Sequence, residues 1–186
     1  MPDYARARAE FSWAAAREHL AGLPGGRLNI AYEAVDRHAG GPLARAVALR
    51  FLSKRHPISE LTYAELKQET DRFANVLAAL GVGRGERVFV LAGRIPELYV
   101  AALGTLKHGA VFCPLFSAFG PEPIEQRLRL GDARALVTTA ALYRRKVAEM
   151  RQRLPRLEHV LVVGDPDEVA EMPRRRGSPR ADGRRP

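Results

Sequence analysis

The chain has 186 residues, of which 46% are apolar and 27% are charged, a composition typical of a globular domain or of part of a larger one. Its net charge of +9 is unevenly spread: residues 173–186 carry +5, so the rest of the chain is only mildly basic, which argues against a nucleic-acid partner. The sequence has no apolar run of about eighteen residues and no secretory-type leader, so it predicts a cytoplasmic protein without a membrane span.

The first sixty residues predict an N-terminal extension made of short elements. Residues 7–23 are predicted to form one short helix, and residues 25–41 a second that is bounded by glycine pairs. The apolar run at 45–52 predicts a strand of a separate small sheet, because antiparallel pairing needs only a turn.

A strongly amphipathic helix is predicted directly after this extension. Thr62 and Glu65 have the spacing of a capping box at its start, and Gly81 provides the stop signal. Five residues are spaced to lie on one face of this helix: Leu66, Thr70, Phe73, Leu77 and Leu80.

Four apolar runs form the rest of the pattern, and their starts are about 24 residues apart, which leaves room for a helix and two turns between them. Because these runs are continuous rather than alternating, they predict central strands of a parallel sheet that is covered on both faces. The runs are RVFVLA (87–92), AVFCPL (110–115), ALVTT (135–139) and HVLVVG (159–164).

Helix signals occupy the intervals between these runs. Pro96 and Pro121 each precede a glutamate at a predicted first helical turn, and Gly109 and Gly131 stand at the predicted ends. A third helix is predicted over 141–154. The alternation of strands and helices predicts an α/β fold with parallel strands and right-handed crossovers.

Three glycines in GVGRGER (81–87) have the close spacing of a dinucleotide-binding loop. Such a loop must follow a strand and open a helix, whereas these glycines close a helix and enter a strand, so a tight turn is the better interpretation. The sequence contains no Walker loop, no Cys-x-x-Cys and no Gly-x-Ser-x-Gly elbow, and its five histidines are scattered, so no metal site is predicted.

Cys113 is the only cysteine, which excludes an internal disulfide, and its place in a predicted strand favours a packing role over a reactive one. The segment YRRK (143–146) puts three cations at what is predicted to be the first turns of the 141–154 helix, where the helix dipole is unfavourable to them. A solvated helix face and a phosphate clamp both fit this segment.

Residues 109–128 combine an apolar run with an immediate stretch of small and turn-forming residues before the next helix. Two interpretations fit this change: an ordinary turn between a strand and a helix, or a loop of small residues that lets a ligand pass close to the backbone. The second is favoured, because ligands in open α/β sheets gather beyond the carboxyl ends of strands.

The chain ends in an Arg/Pro/Gly-rich stretch that cannot bury enough apolar surface to fold by itself. A flexible RNA-binding arm and the translation of a GC-rich gene out of frame are both compatible with it. The predicted organisation is therefore an extension with a small sheet (1–60), an incomplete βαβ region (61–165) and a disordered basic tail (166–186).

Taken together, these segments resemble the N-terminal part of an AMP-forming acyl-CoA synthetase of the adenylate-forming enzyme superfamily, in its acetyl-CoA synthetase branch. The resemblance runs from about Phe11 to Asp165. The stretches that carry it are LNIAYEAVDRHA (28–39), the segment from LTYAELKQ to PIEQRL (61–128), ALVTT (135–139) and LEHVLVVGD (157–165).

The resemblance implies a reaction in which a carboxylate and ATP give an acyl-adenylate and diphosphate, after which coenzyme A displaces AMP. The parent enzyme would use ATP, Mg²⁺ and CoA. The family's phosphate loop, its ribose-binding aspartate and its acyl-activating lysine belong to a region downstream of the one this chain covers. The chain is therefore predicted to be a truncated synthetase that is inactive alone and binds none of these cofactors tightly. Self-association through an exposed sheet edge is also expected.

The resemblance further implies that part of the CoA side is present. In acetyl-CoA synthetases a Gly-Gly-Phe-Ser-type sequence near the pantetheine channel aligns with Ser117, Ala118, Phe119 and Gly120, so this chain departs from the glycine pair and from the serine. Basic residues that approach the 3′-phosphate align near Arg144 and Arg145. A synthetase for a larger acyl group and a non-catalytic α/β binding module remain the alternatives.

Overall fold

A computed structural model describes residues 3–52 and 57–164. They form two compact units: the first comprises residues up to 85 together with 95–112, and the second comprises 86–94 and the residues from 113 onward. The predicted tail at 166–186 lies outside the described residues. Within the described ranges no helix is both long and apolar enough to cross a membrane.

The first unit contains short N-terminal helices, a two-stranded sheet and two long helices. Its elements are α1 (Tyr4–Glu10), α2 (Trp13–Glu18), a π-helical turn (Tyr32–Asp36), α3 (Arg37–Ala39), β1 (Val47–Phe51), β2 (Ser59–Thr62), α4 (Tyr63–Ala79) and α5 (Pro96–His108). The strands β1 and β2 pair in antiparallel fashion, which confirms the separate small sheet predicted from residues 45–52.

The single helix predicted over residues 7–23 is wrong, because the chain forms α1 and α2 instead. Phe11 and Ser12 adopt extended backbone conformations between them. The Ser12 side chain accepts a hydrogen bond from the Ala15 amide and so caps a new helix, a role that serine fills better than an interior helical position.

The capping box at the start of α4 is confirmed. The Glu65 amide donates to Thr62 Oγ1 at 3.3 Å, and the Thr62 amide donates to Glu65 Oε2 at 2.8 Å. Leu66, Thr70 and Leu77 are buried as predicted. The helix ends at Ala79, and Gly81 follows with φ +70°, a left-handed conformation that glycine adopts at no steric cost.

Replacing Thr62 by Ala is expected to lower the free energy of unfolding by about 1 kcal/mol, because one orphan amide of α4 loses its side-chain acceptor. Urea denaturation followed by circular dichroism measures this change. Thr62→Ser keeps the acceptor and serves as the control. An alanine variant as stable as the serine variant would show that the box contributes nothing.

Helices α4 and α5 pack closely where a glycine allows it. A Cβ added to Gly104 of α5 would lie 2.8 Å from Phe73 Cδ1 and 3.0 Å from the Thr70 carbonyl oxygen, both on α4. A residue with any side chain at position 104 would therefore push the two helices apart. This close approach is not visible in the helical periodicity of either segment.

The second unit is built on the parallel sheet. Its elements are β3 (Arg87–Leu91), β4 (Val111–Leu115), α6 (Pro121–Leu130), β5 (Ala133–Thr139), α7 (Ala140–Lys146), a 3₁₀ helix (Ala148–Arg153) and β6 (His159–Val163). The first two residues of β4 belong to the first unit. The sheet order is β4-β3-β5-β6, and the strands are parallel, so the predicted α/β class is confirmed.

The prediction of four central strands holds only for β3 and β5. Their apolar residues are almost fully buried on both faces, for example Val88, Leu91 and Leu136. By contrast, β4 and β6 lie at the two edges of the described sheet, and β6 is half-buried along its length. Self-association through such an edge stays a prediction.

The glycines of GVGRGER form the predicted turn. Gly81 follows α4 and Gly85, with φ +77°, stands two residues before β3. Because this turn ends a helix and begins a strand, its amides do not open a helix toward a phosphate. The dinucleotide-loop interpretation is therefore excluded.

Candidate functional site

The candidate site lies where the strands of the sheet end. Residues 116–120 connect the end of β4 to α6, and α7 begins directly after β5. Because the carboxyl ends of parallel strands meet at one edge, the loop after β4 and the helix after β5 belong to the same edge of the sheet. This edge is the one at which open α/β sheets bind ligands.

A tight turn and two aromatic rings shape the loop. The Phe119 amide donates to the Phe116 carbonyl oxygen at 3.0 Å, and the two rings meet edge to face with 5.5 Å between their centroids. Ser117 and Phe119 are half-buried, whereas Ala118 and Gly120 are exposed. A Cβ added to Gly120 would meet no atom within 4 Å, so the backbone there borders open space.

Lys146 joins the loop to α7. Its ammonium Nζ donates to the carbonyl oxygens of Ser117 and Phe119, and both distances are 2.6 Å. Hydrogen bonds from a charged donor are among the stronger ones in proteins, so this side chain holds the loop in its turn. The sequence marked Lys146 as one cation of a possible clamp and did not predict this contact.

The cations of YRRK lie in the last turn of α7, not in the first turns of a helix over 141–154. That helix is split, because Thr139 caps a start at Ala140 and Val147 leaves the helical conformation with φ −122°. Val147, where the helix breaks, is fully buried in the core of this unit. At a helix C-terminus, Arg144 and Arg145 suit the dipole, and both side chains are exposed.

Arg127 of α6 also contacts the loop. The guanidinium carbon of Arg127 lies 4.3 Å from the centroid of the Phe119 ring, within cation–π range. Its Nη1 also donates to the Pro123 carbonyl oxygen at 3.0 Å. The pairing of Arg127 with Phe119 links residues eight positions apart, and no helical or strand periodicity indicates it.

The thiol of Cys113 is a poor candidate for the site. Cys113 is partly buried against the core cluster of this unit. Burial raises the pKa of this thiol, and the nearby Arg87 guanidinium offsets the effect only in part. A raised pKa lowers the thiolate fraction at neutral pH, so the packing role predicted for Cys113 is supported.

Comparison with known proteins finds one matching family model and many similar synthetases. A model of the family described as AMP-binding enzyme matches residues 35–184. The acetyl-coenzyme A synthetase of Bacillus subtilis is 39% identical over 165 residues, which is 88% of this chain and 28% of that protein. The 3-hydroxypropionyl-coenzyme A synthetase of Metallosphaera sedula is 36% identical over 129 residues, covering 69% of this chain and 20% of that protein.

Solved structures give the same picture of the fold. The crystal structure of a Brucella canis acyl-CoA synthetase superposes with a TM-score of 0.78 at 37% identity and covers 89% of this chain and 29% of that chain. The chain therefore spans less than a third of the length of the proteins it matches.

Proposed function

The chain belongs to the AMP-binding enzyme family, and we propose on this basis that it is the N-terminal portion of an AMP-forming acetate–CoA ligase. The parent reaction converts a carboxylate, ATP and CoA to acyl-CoA, AMP and diphosphate. The observation that carries this proposal is the 39% identity to an acetyl-coenzyme A synthetase over 88% of the chain.

Within the parent enzyme, this portion contributes to the CoA side. Ser117, Ala118, Phe119 and Gly120 would border the pantetheine arm, and the open space beside Gly120 supports this placement. Arg144 and Arg145 would bind the 3′-phosphate, since both are exposed at the end of α7 and Lys146 of the same turn contacts the loop. CoA supplies the acyl-accepting thiol when it is bound.

ATP and Mg²⁺ belong to the parent reaction, but no residue of this chain is assigned to them. Their binding needs a phosphate-cradling backbone, a cation and carboxylate ligands. Among the described residues, no group of three or more His, Cys, Asp or Glu side chains is placed to hold a metal ion. We propose that the rest of the parent enzyme carries out the phosphate chemistry, because the family's phosphate loop and acyl-activating lysine belong downstream of the region that this chain resembles.

We expect the purified chain to catalyse no acetate-dependent exchange of pyrophosphate into ATP above background, with a full-length acetyl-CoA synthetase as the positive control. Acetyl-AMP formation by the chain alone would overturn the proposal that it is an incomplete ligase. A nucleotide sequence that encodes a Ser/Thr/Gly-rich phosphate loop after codon 165, in any frame, would support it.

The CoA assignment has a separate readout. At millimolar concentrations CoA is expected to bind more tightly than dephospho-CoA, which lacks the 3′-phosphate, and Arg145→Gln should remove most of that difference. Arg72→Gln is the matched control, because Arg72 is an exposed arginine on α4. Equal affinities for the two ligands would contradict the phosphate role of Arg145.

A second candidate keeps the reaction and changes the acyl group. The 36% identity to a 3-hydroxypropionyl-coenzyme A synthetase favours it. A non-catalytic α/β binding module, with or without a separately encoded remainder, is the third candidate. The exchange experiment repeated with a co-expressed remainder and a series of carboxylates separates these three.

A further inference from the structure

A concave region lies at the amino ends of the strands, the edge of the sheet opposite the loop 116–120. Its volume is about 250 Å³, and it is lined by three arginines, Arg129, Arg153 and Arg156, together with apolar residues. Arg129 lies on α6 shortly before β5, and the other two precede β6. Because β5 and β6 are parallel, their amino ends meet here, away from the loop 116–120. We call it the amino-edge pocket.

The floor of the amino-edge pocket is apolar. Leu128, Leu154 and Leu157 line it, and all three are buried members of the core of this unit, with Pro155 beside them. Leu128 belongs to α6, whereas the other residues belong to the segment that leads into β6. The floor is therefore made by two elements that pack in the same core.

Two of the rim arginines are paired with carboxylates that do not themselves line the pocket. Arg153 donates from Nε and Nη2 to the two carboxylate oxygens of Glu125, at 2.8 and 2.6 Å. Arg156 does the same to Asp132, at 2.9 and 3.0 Å. Each carboxylate occupies the Nε and Nη2 edge of its guanidinium. It therefore leaves the N–H groups of Nη1 to other acceptors.

Asp132 owes its position to an unusual backbone conformation. Its φ of +49° falls in the left-handed region, which few residues other than glycine adopt, and it follows Gly131, the C-cap of α6. With aspartate at this position, the carboxylate reaches both Arg156 and Arg87, the latter at 2.7 Å. The hydrogen bond from Arg156 holds the pKa of Asp132 below its usual range, so the carboxylate stays charged at neutral pH.

The lining sets the ligand chemistry. The lining holds three guanidinium groups, two of which are paired with Glu125 and Asp132 outside the lining, so the donors that an anion would meet are Arg129 and the remaining N–H groups of Arg153 and Arg156. Guanidinium groups that line one pocket suit a phosphoryl group, whose three terminal oxygens accept several hydrogen bonds at once. The leucine and proline floor suits a short apolar part next to that group. We propose that the amino-edge pocket binds a small organic phosphate with an apolar portion, at a site separate from the CoA side.

Phenyl phosphate is a suitable probe, titrated into the full 186-residue chain with methyl-labelled leucine and followed by NMR. Saturable shifts of the methyl groups of Leu128, Leu154 and Leu157 are expected. Inorganic phosphate should bind at least about threefold more weakly, since it lacks the apolar part. The loop 116–120 should not respond, which separates this outcome from the proposed function.

Arg129→Gln is the informative variant, because Arg129 is exposed and its replacement leaves the Glu125 and Asp132 pairs in place. It should raise the dissociation constant for phenyl phosphate at least about fivefold, whereas Arg72→Gln on α4 should change it less than about twofold. The proposal is overturned by the absence of saturable shifts, by equal effects of the two variants, by equal binding of inorganic phosphate, or by a polyglutamate peptide that binds where phenyl phosphate does not.

Discussion

Replacing Lys107 by Met is expected to lower the free energy of unfolding by about 2–3 kcal/mol, since it leaves two carboxylates without their shared cation. Lys107 Nζ lies 2.7 Å from Asp36 Oδ1 and 2.7 Å from Asp71 Oδ1, and it donates to Thr70 Oγ1 at 2.9 Å. Its side chain is only 14% exposed. These contacts join the π-helical turn, α4 and α5, so their loss weakens three elements together.

Lys67→Met provides the matched control for this prediction. Lys67 Nζ also contacts Asp71, at 2.6 Å, but its side chain is 42% exposed and the pair lies within one helix. Such pairs contribute less than about 1 kcal/mol. Urea denaturation of both variants at pH 7 measures the difference. Equal losses would mean that burial and the second carboxylate add nothing to the role of Lys107.

The effect of Lys107→Met should depend on pH in a defined direction. Burial raises the pKa of Asp71, but hydrogen bonds from Lys107 and Lys67 outweigh it, and the pKa lies below its ordinary value. A lowered pKa in the folded state contributes stability above the unfolded-state pKa, and this contribution is lost as the pH falls through the folded-state pKa. The stability gap between wild type and variant should therefore narrow as the pH falls below about 4.

The sequence predicted most of what short-range patterns determine, but it missed the local cap at Ser12 that separates α1 from α2. The apolar runs located β3, β4, β5 and β6, and proline and glycine signals located α5 and α6 within a residue or two. The capping box at Thr62 was also correct. Each of these features depends on residues fewer than twenty positions apart, which is the range over which periodicity and capping signals act.

Features that depend on tertiary packing could not be predicted in this way. The predicted 141–154 helix breaks at Val147, a buried residue of the core, and helical periodicity does not reveal this break. The edge positions of β4 and β6 depend on sheet order, which strand-like composition does not reveal. Lys107 showed only the signature of a cation at a helix end, although its two carboxylate partners lie 36 and 71 positions before it in the chain.

The candidate site likewise has features that the sequence predicted and one contact that it did not. Small residues after an apolar run indicated the loop 116–120, and a cluster of cations indicated the end of α7. What links these two segments is Lys146, which reaches carbonyl oxygens 27 and 29 positions away in the chain. Carbonyl acceptors are present on every residue and carry no sequence signal. This link therefore became visible only in three dimensions.

Replacing Lys146 by Met should release the loop without unfolding the unit. The variant loses two charge-assisted hydrogen bonds of 2.6 Å to the carbonyl oxygens of Ser117 and Phe119, while the methionine side chain keeps most of the apolar stem. Hydrogen bonds to a charged group contribute about 1.5–3 kcal/mol, which corresponds to faster opening by a factor of about ten to a hundred. Hydrogen exchange of the Phe119 amide, which is bonded to the Phe116 carbonyl oxygen, reports this opening.

Arg145→Met is the control for Lys146→Met, because the neighbouring arginine is exposed in the same helical turn. It should leave the exchange of the Phe119 amide unchanged and, in the proposed role of Arg145, weaken only the binding of CoA. Lys146→Arg retains hydrogen-bond donors and should restore part of the protection. If the Phe119 amide exchanges at the same rate in Lys146→Met and Arg145→Met, the loop is held by its own turn and by Arg127. Arg144 and Arg145 would then lie beside a loop that is ordered without Lys146. If only Lys146→Met is fast and its CoA affinity also falls, the order of the loop and the recognition of CoA are coupled through this one ammonium group.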